Sequence, residues 1–567
     1  MKNIFASSLV IVIVLGTNAW SCAAVLAPEK VPEVKRVEYQ DRWVHVRNDL
    51  ASDARLDHFG RVIARAAESG FNGVMWDAGV RGEGIDFDGW KGARLARLEK
   101  AKAICREKGM EIIPMVWSVG RAHALLKHDP TLAECQSVRG VPYRANGGKA
   151  EFEAGNAAVM KDIFGGPVTV NASGKRSRSV NIKVKPFRRY RLTAHAVQKG
   201  FKSMKGEGVN KVPVRNAFSI SATLQKAGQN LNTRETVVGV SVADGESDLV
   251  LEFLSLDFCE EMISVGVNYR SEAGEVTFTD MHVAEVGIRR PIVREGAPFV
   301  VRDAATGAIY EPGKDYVVPK SDASPPGPKD RDVAILLPQG SAIRSGASLV
   351  VDAYEPSRRR DVQAGACMAN PALYAYFEKS APVIYELFGR PKKWFLSMDE
   401  IRAGGMCGAC EASGKDLAHL LADCLAHQRD AIRKVCPDAT VYAWCDMYDP
   451  FVNAKSRKTG YAMCNGDFSF NEFLAPKDIV AVVWGGQESA SKSLEYFSSL
   501  GIPTLYATFY DVYSADHFRV RGAVPTANKV PGCRGLMYTT WVKNGKYDLL
   551  GAFGDFMKVY SNPMPAK

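Results

Sequence analysis

The feature that most constrains this chain is an alternation of strands and helices that starts, stops and starts again. It opens with "RWVHVRND", an apolar run ending in polar residues. "LDHFGRVIARAAESG" follows, with apolar residues near the helical period and Gly70 as a stop. "FNGVMWDAG" reads as a short buried strand, "LARLEKAKAICREKG" as a second helix, and "MEIIPMVWSVG" as a third strand. A βαβαβ series of this kind requires a parallel sheet, because parallel neighbours need a crossover between them.

From about Gly155 to Pro356 the helical period disappears. Alternating segments such as "RYRLTAHAV", "FSISATLQ", "DLVLEFLSL" and "EVTFTDMHVAEV" take over, separated by turn residues. This is the texture of a β-sandwich. The stretch from Arg290 to Pro356, with "GAIYEPGKDYVV" and "SDASPPGPKD", reads as a smaller hairpin-rich piece. After the helix "NPALYAYFEKSAPVIYELFG" the alternation resumes, with strands in "KKWFLSMDE", "ATVYAWCDMYDP", "DIVAVVWGG", "IPTLYATFYD" and "CRGLMYTTWV". Three strands before the interruption and five after it make eight. The expected fold is α/β, a (β/α)8 TIM barrel interrupted after its third strand by an all-β, jelly-roll-like domain. The expected boundaries are a signal peptide over 1–24, barrel strands 1–3 over 36–155, a β-sandwich over 156–290, a small β segment over 291–360, and barrel strands 4–8 over 361–560.

Lys2, the apolar run "LVIVIVLG" and the small residues of "NAWSCAA" have the three-part layout of a secretory signal. Cleavage before Cys22, with Ala19 and Ser21 at −3 and −1, fits, and Cys22 also offers a lipid-attachment site. Export to the periplasm, the medium or the outer surface is expected, and no stretch is long enough to span a bilayer. The net charge of +10 is spread over 567 residues, and the short runs "KRSRS" and "PSRRR" lack interleaved aromatics. A nucleic-acid partner is therefore not expected.

In a (β/α)8 barrel, chemistry sits at the C-terminal ends of the strands. Those ends carry Arg47 and Asp49; Trp76 and Asp77; Trp117 and, just beyond, His123; Asp399 and Glu400; Trp444, Asp446 and Asp449; Trp484; Tyr510 and Asp511; and Trp541. Five of the nine tryptophans fall there. Aromatic faces and carboxylates on one rim suit a saccharide, so an oligosaccharide or polysaccharide is the expected partner. Glycoside hydrolysis needs a carboxylic acid to protonate the leaving oxygen and a group to stabilise the positive carbon. Glu400 is placed to be that acid if burial or the adjacent Asp399 raises its pKa. Side chains alternate along a strand, so the two acids point apart and take different roles. Asp511 or Asp446 could serve as a second carboxylate in a retaining or inverting enzyme.

The motif "EIIPMVWSVGRAH" resembles the third-strand element of the family 20 β-hexosaminidases, "FLSMDE" their fourth-strand Asp-Glu, and "FYD" and "MYTTW" their later Tyr-x-Asp and Trp elements. The resemblance implies Glu400 as general acid and base, with Asp399 orienting a substrate acetamido group whose oxygen is the nucleophile. It implies Tyr510 and Asp511 on the acetamido group and hydroxyls, and Trp444, Trp484 and Trp541 as walls of the sugar pocket. His123 stands in a stretched form of the family's Gly-His element, and Ser397 and Met398 replace the glycines that precede Asp-Glu. The "VKPFRRYRLTAHAV" to "GEVTFTDMHVAEVG" segment resembles jelly-roll carbohydrate-binding modules. A carbohydrate-binding protein without activity is the alternative from another class.

The twelve cysteines are scattered, several fall on expected core faces, and most are expected to be buried thiols. Cys407-x-x-Cys410 has three readings: a bracing disulfide or plain thiols, half of a metal site completed by residues such as Cys445 and Cys464, or a redox pair. No metal or cofactor is assigned from the sequence.

Overall fold

The computed structural model describes residues 39–79, 90–153, 159–202, 218–225, 232–239, 244–255, 263–324, 331–359, 363–455, 463–509, 524–541 and 547–560. The signal segment with Cys22, and Tyr510 and Asp511, lie outside the described residues.

Eight parallel strands close into a barrel: β1 (Asp41–Arg47), β2 (Gly73–Asp77), β3 (Glu111–Val116), β4 (Lys393–Leu396), β5 (Thr440–Trp444), β6 (Val480–Val483), β7 (Thr504–Phe509) and β8 (Cys533–Thr539). β8 returns to β1 through Trp43 opposite Met537, so no edge is left open. Helices α1 (Asp53–Glu68), α2 (Gly92–Glu107), α3 (Pro371–Leu387), α4 (Leu417–Val435), α5 (Gln487–Ser499) and α6 (Leu550–Tyr560) follow the chain order of the barrel. Their starts are written in the sequence. Ser52 accepts from the Arg55 amide at the head of α1, Asn370 caps α3 ahead of Pro371, and Asp416 caps α4 through the His419 amide.

The strands alternate between two cores. Trp43, Met75, Ile113, Met115, Phe395, Tyr442, Val482, Leu505 and Met537 fill the barrel. Val44, Val74, Val116, Leu396, Val441 and Ala481 face the helices, where Phe59 and Ile63 of α1 or Leu421 and Leu425 of α4 cover them. Period two in the strands and near 3.6 in the helices meet at this boundary.

The floor of the barrel is polar. Asp41, fully buried, accepts from Lys393 Nζ (2.9 Å), Tyr442 Oη (2.6 Å) and Arg534 Nε (3.0 Å). Lys393 also reaches Glu111 (2.7 Å). Five strands are thus tied at one end. Gly535 is needed beside them, because a Cβ there would lie 1.7 Å from the Asp41 carbonyl oxygen.

Between β3 and β4 the chain builds antiparallel sheets. One sheet orders Asn232–Gly239, Phe218–Gln225, Ile263–Tyr269 and Ser177–Ile182; another orders Gly245–Leu254, Arg189–Lys202, Ala273–Val286 and Val159–Met160. Their inner faces share a core that includes Leu192, Ile220, Val265 and Phe278. A third sheet joins Cys135–Asn146 and Lys149–Phe152 to Val300–Asp303, Ile335–Leu336 and Ser348–Pro356. The last part of the stretch expected to belong to the barrel, up to 155, therefore pairs with segments far along the chain. Sequence alternation shows that a strand exists but not which partner it takes.

Removing the buried Asp41 carboxylate leaves Lys393 and Arg534 without their shared acceptor. We expect Asp41→Ala to cost about 3–5 kcal/mol of stability, read by urea denaturation, with no selective effect on ligand binding at the opposite end of the barrel.

Candidate active site at the barrel mouth

The site forms where β3 and β4 meet. Trp117 follows β3 with a left-handed backbone (φ 51°). Its ring turns away from the barrel, packs on Phe377 and Trp394, and its Nε1 donates to Ser380 Oγ (2.9 Å). Trp76 likewise packs outward on Phe59 and Phe388. Neither belongs to the sugar-facing rim that tryptophan at strand ends led us to expect.

The chain after Trp117 then crosses against the end of β4. A Cβ on Gly120 would stand 2.5 Å from the Asp399 carbonyl oxygen, so only glycine allows this approach. Gln363 Nε2 bridges the seam, donating to the carbonyls of Gly120 (3.1 Å) and Glu400 (2.7 Å). Ser397 N donates to the Val116 carbonyl (3.0 Å), extending the pairing of β4 with β3.

Asp399 and Glu400 lie beyond the last residue of β4 and differ in their surroundings. Asp399 is buried and accepts from Ser397 Oγ (3.2 Å). Glu400 keeps 30% of its side chain exposed, lies against Arg121 and is 3.5 Å from Arg402. Its backbone is left-handed (φ 48°), a conformation that costs a non-glycine residue energy and recurs at functional sites. The Glu400 amide is held by Asp446 Oδ2 (3.0 Å), which also accepts from Asn453 Nδ2 (2.8 Å). Asp446 Oδ1 is buried with no hydrogen-bond partner.

The charges are set apart by these surroundings. Burial pushes the Asp446 carboxyl up to about 7, with Asp399 adding to it and Asn453 opposing. Burial likewise raises Asp399, against the pull of Arg121 and with the help of Glu400. Asp449 is pushed up by burial to about 6. For Glu400 burial also works upward, but Arg121 and Arg402 outweigh it and hold the carboxyl below its usual value. The expectation that Asp399 would raise Glu400 is therefore reversed. Two arginines stand closer in effect than one like charge.

Aromatic rings line the neighbouring part of the mouth. Trp444 and Trp541 lie 5.9 Å apart between ring centroids. Trp541 is 37% exposed, Trp444 is buried beneath it, and Trp484 packs on the same core half-buried. His45 lies 4.7 Å from Trp541, and burial followed by the Arg47 charge pushes its pKa down to about 3, so it is neutral. Arg47 pairs with Asp77 (3.1 Å) and donates to the Trp541 carbonyl (3.2 Å). His123 opens the short helix His123–His128, but it is Arg121, two residues earlier, that reaches Glu400.

The structure thus brings together Asp399, Glu400 and Asp446, and places Trp444, Trp484 and Trp541 on the same barrel end. Arg121, Arg402, Asn453, Gln363 and His45 went unread in the sequence. Arg121 sits inside the quoted Gly120–His123 element, and His45 shares the inward face of Trp43 and Arg47, so both carried a signal. Among the described residues, one group is compact enough to hold a metal ion, Glu134 with Cys367, Cys407 and Cys410. Cys445 and Cys464, the expected partners of the Cys407 pair, are not in it. No helix among the described residues is long and apolar enough to cross a membrane.

No known family model and no characterised sequence matches the chain. Among solved structures it is similar to a rhamnosidase from Novosphingobium sp. PP1Y, at 9% identity and a TM-score of 0.36, over 92% of this chain and 59% of that one. It is also similar to the endo-1,4-β-D-xylanase 10B of Clostridium thermocellum with its carbohydrate-binding module (10% identity, TM-score 0.19, 72% of this chain and 91% of that one). A family 16 carbohydrate-binding module overlaps 21% of this chain and 74% of its own length, at 10% identity and a TM-score of 0.16. The chain spans less than two thirds of the rhamnosidase, and overlaps this loose leave its chemistry to be read from its own side chains.

Two outcomes follow. An acid whose folded pKa lies near 7 rather than its ordinary 3.8 stabilises the fold least once both states are ionised. Its contribution is therefore fully present below about pH 4 and is lost as pH rises towards about 7. Asp446→Asn should flatten the fall in melting temperature between those limits; an unchanged slope would contradict the assignment. Gly120→Ala should displace the Asp399–Ile401 backbone and weaken ligand binding at the mouth while the far-UV spectrum stays native.

Proposed function

We propose that the protein is an exported glycoside hydrolase acting at the C-terminal mouth of its barrel. One observation carries this reading: carboxyl groups at the ends of β4 and β5 have protonation tendencies pushed in opposite directions, on the barrel end that also carries an exposed tryptophan. Pairs of acids separated in this way divide acid and base roles at one pH.

A sugar ring stacked on Trp541 would face the Asp399–Glu400 turn. Burial favours the protonated form within the Asp399–Asp446 pair, and the two arginines favour the anion at Glu400. Asp399, the less deeply enclosed of the pair, is the group we assign to protonate the leaving oxygen. Glu400, ionised by Arg121 and Arg402, is placed to stabilise the positive anomeric carbon or to attack it. We read the antiparallel sheets between β3 and β4 as an inserted unit, and the sandwich as its glycan-binding part.

A second reading keeps the roles implied by the family 20 resemblance. There Glu400 is the acid, Asp399 orients an acetamido group, and the substrate is a terminal N-acetylhexosamine cleaved with retention. It is favoured by the adjacent Asp-Glu at the end of the fourth strand and by the Trp444–Trp541 wall. For it to hold, substrate has to draw Arg121 away from Glu400, so that burial prevails and the Glu400 carboxyl rises.

Aryl glycosides separate the two. Removing a general acid lowers the rate by about 10²–10⁴-fold on poor leaving groups and far less on activated ones. We expect Asp399→Asn to retain hydrolysis of dinitrophenyl glycosides, and Glu400→Gln to lose it. The reverse pattern, confined to N-acetylhexosaminides and blocked by a thiazoline analogue, selects the second reading. Glycan binding with no cleavage of any aryl or natural glycoside would sink both.

A further inference from the structure

Beside the mouth, three chain segments bring three thiols and a carboxyl into one buried cluster that the proposed hydrolysis does not use. Cys407 and Cys410 open the short helix Gly408–Ser413. Cys367 comes from the segment returning towards α3, and Glu134 from the residue before the strand Cys135–Asn146. The three sulfurs form a near-equilateral triangle: Cys367 to Cys407 3.5 Å, Cys367 to Cys410 3.7 Å, and Cys407 to Cys410 3.6 Å. Glu134 Oε2 lies 3.4 Å from the Cys410 sulfur, and Glu134 itself is fully buried.

These spacings match a coordination shell. With Zn–S near 2.3 Å and Zn–O near 2.0 Å, the edges of a tetrahedron come to about 3.8 Å between sulfurs and about 3.5 Å between sulfur and oxygen. The carboxylate is already oriented, because the Met406 amide donates to Oε1 (2.8 Å) and leaves Oε2 to face the sulfurs. Arg294 Nη2 lies 3.4 Å from the Cys407 sulfur, a positive charge set against the two negative charges that would remain once a divalent ion met three thiolates and a carboxylate. A disulfide within the triangle would join two of its sulfurs and leave the third beside a buried carboxyl, and Cys135, whose sulfur also neighbours that of Cys407, stands outside the compact group.

We propose that Cys367, Cys407, Cys410 and Glu134 form a closed, structural zinc site. Four protein ligands leave no open position, so the ion has a bracing role and takes no substrate. It fastens the loop that follows Glu400 and Arg402 to the third antiparallel sheet and to the segment carrying Gln363. That loop also packs without clearance on the 294–297 turn: a Cβ on Gly408 would lie 2.6 Å from the Gly296 carbonyl oxygen.

The test uses the purified full-length chain. Elemental analysis should find about one zinc per chain, and cobalt(II) exchange should give an intense thiolate-to-cobalt charge-transfer band with tetrahedral d–d bands. Cys367→Ser should lose the metal, and Glu134→Gln should loosen it by about 10-fold or more, read by competition with a chromogenic chelator. Cys436→Ser, at a buried thiol outside the cluster, should retain it. The wild-type cobalt spectrum keeps the test decisive if a variant fails to fold. A folded protein with no metal and no cobalt bands, a Cys407–Cys410 disulfide mapped by mass spectrometry, or iron in place of zinc would overturn the proposal.

Discussion

Everything at the mouth depends on the seam between β3 and β4. Only two residue pairs, Met115 with Phe395 and Val116 with Leu396, join these strands, although residues 117 to 392 lie between them in the chain. The barrel closes because that seam is reinforced on its outer side. Gln363 holds Gly120 and Glu400 together, Ala366 N donates to the Val119 carbonyl (2.9 Å), and Ala122 N to the Ala364 carbonyl (3.0 Å). The short parallel pairing is completed by hydrogen bonds from the segment that leads back into the barrel. The buried backbone groups that leave β3 are satisfied there rather than by a neighbouring strand.

The same seam explains the electrostatics. Crossing at Gly120 brings Arg121 to Glu400, and the left-handed turn at Glu400 brings its amide to Asp446. Three carboxyl groups and two arginines are thereby packed around one turn. Low-dielectric surroundings separate the carboxyls according to their immediate neighbours, arginine lowering one and burial raising the others. The opposite end of the barrel uses the same kinds of residue for a different end. There Asp41, Lys393, Glu111 and Arg534 offset one another's charge, which suits stability.

The sequence was most legible where period and packing coincide. Eight strands could be counted because apolar alternation and helical spacing switch at capping residues such as Ser52 and Asp416. The Asp399–Glu400 turn could be placed because the apolar run of β4 stops there. Trp76 and Trp117 misled, because being near a strand end does not say which side a ring takes, and the φ of Trp117 reverses the alternation. The effect of Arg121 on Glu400 was hidden for a related reason, since charges from different strands meet only after the barrel closes. Cys407 and Cys410 announced a local geometry, but their partners Cys367 and Glu134 are far away in the chain and carry no spacing signal. The pairing of Cys135–Asn146 with Ser348–Pro356 was invisible for the same reason.

The central claim is that a saccharide is held in the barrel mouth between Trp541 and the Asp399–Glu400 turn. The most direct measurement is a crystal structure of the full chain carrying Glu400→Gln, soaked with an oligosaccharide that the protein binds. The account predicts a sugar ring on the Trp541 face with a glycosidic oxygen in hydrogen-bond reach of Asp399 or residue 400. Sugar found only on the antiparallel sheets, with the mouth closed by Arg121 and holding no glycan, would contradict it.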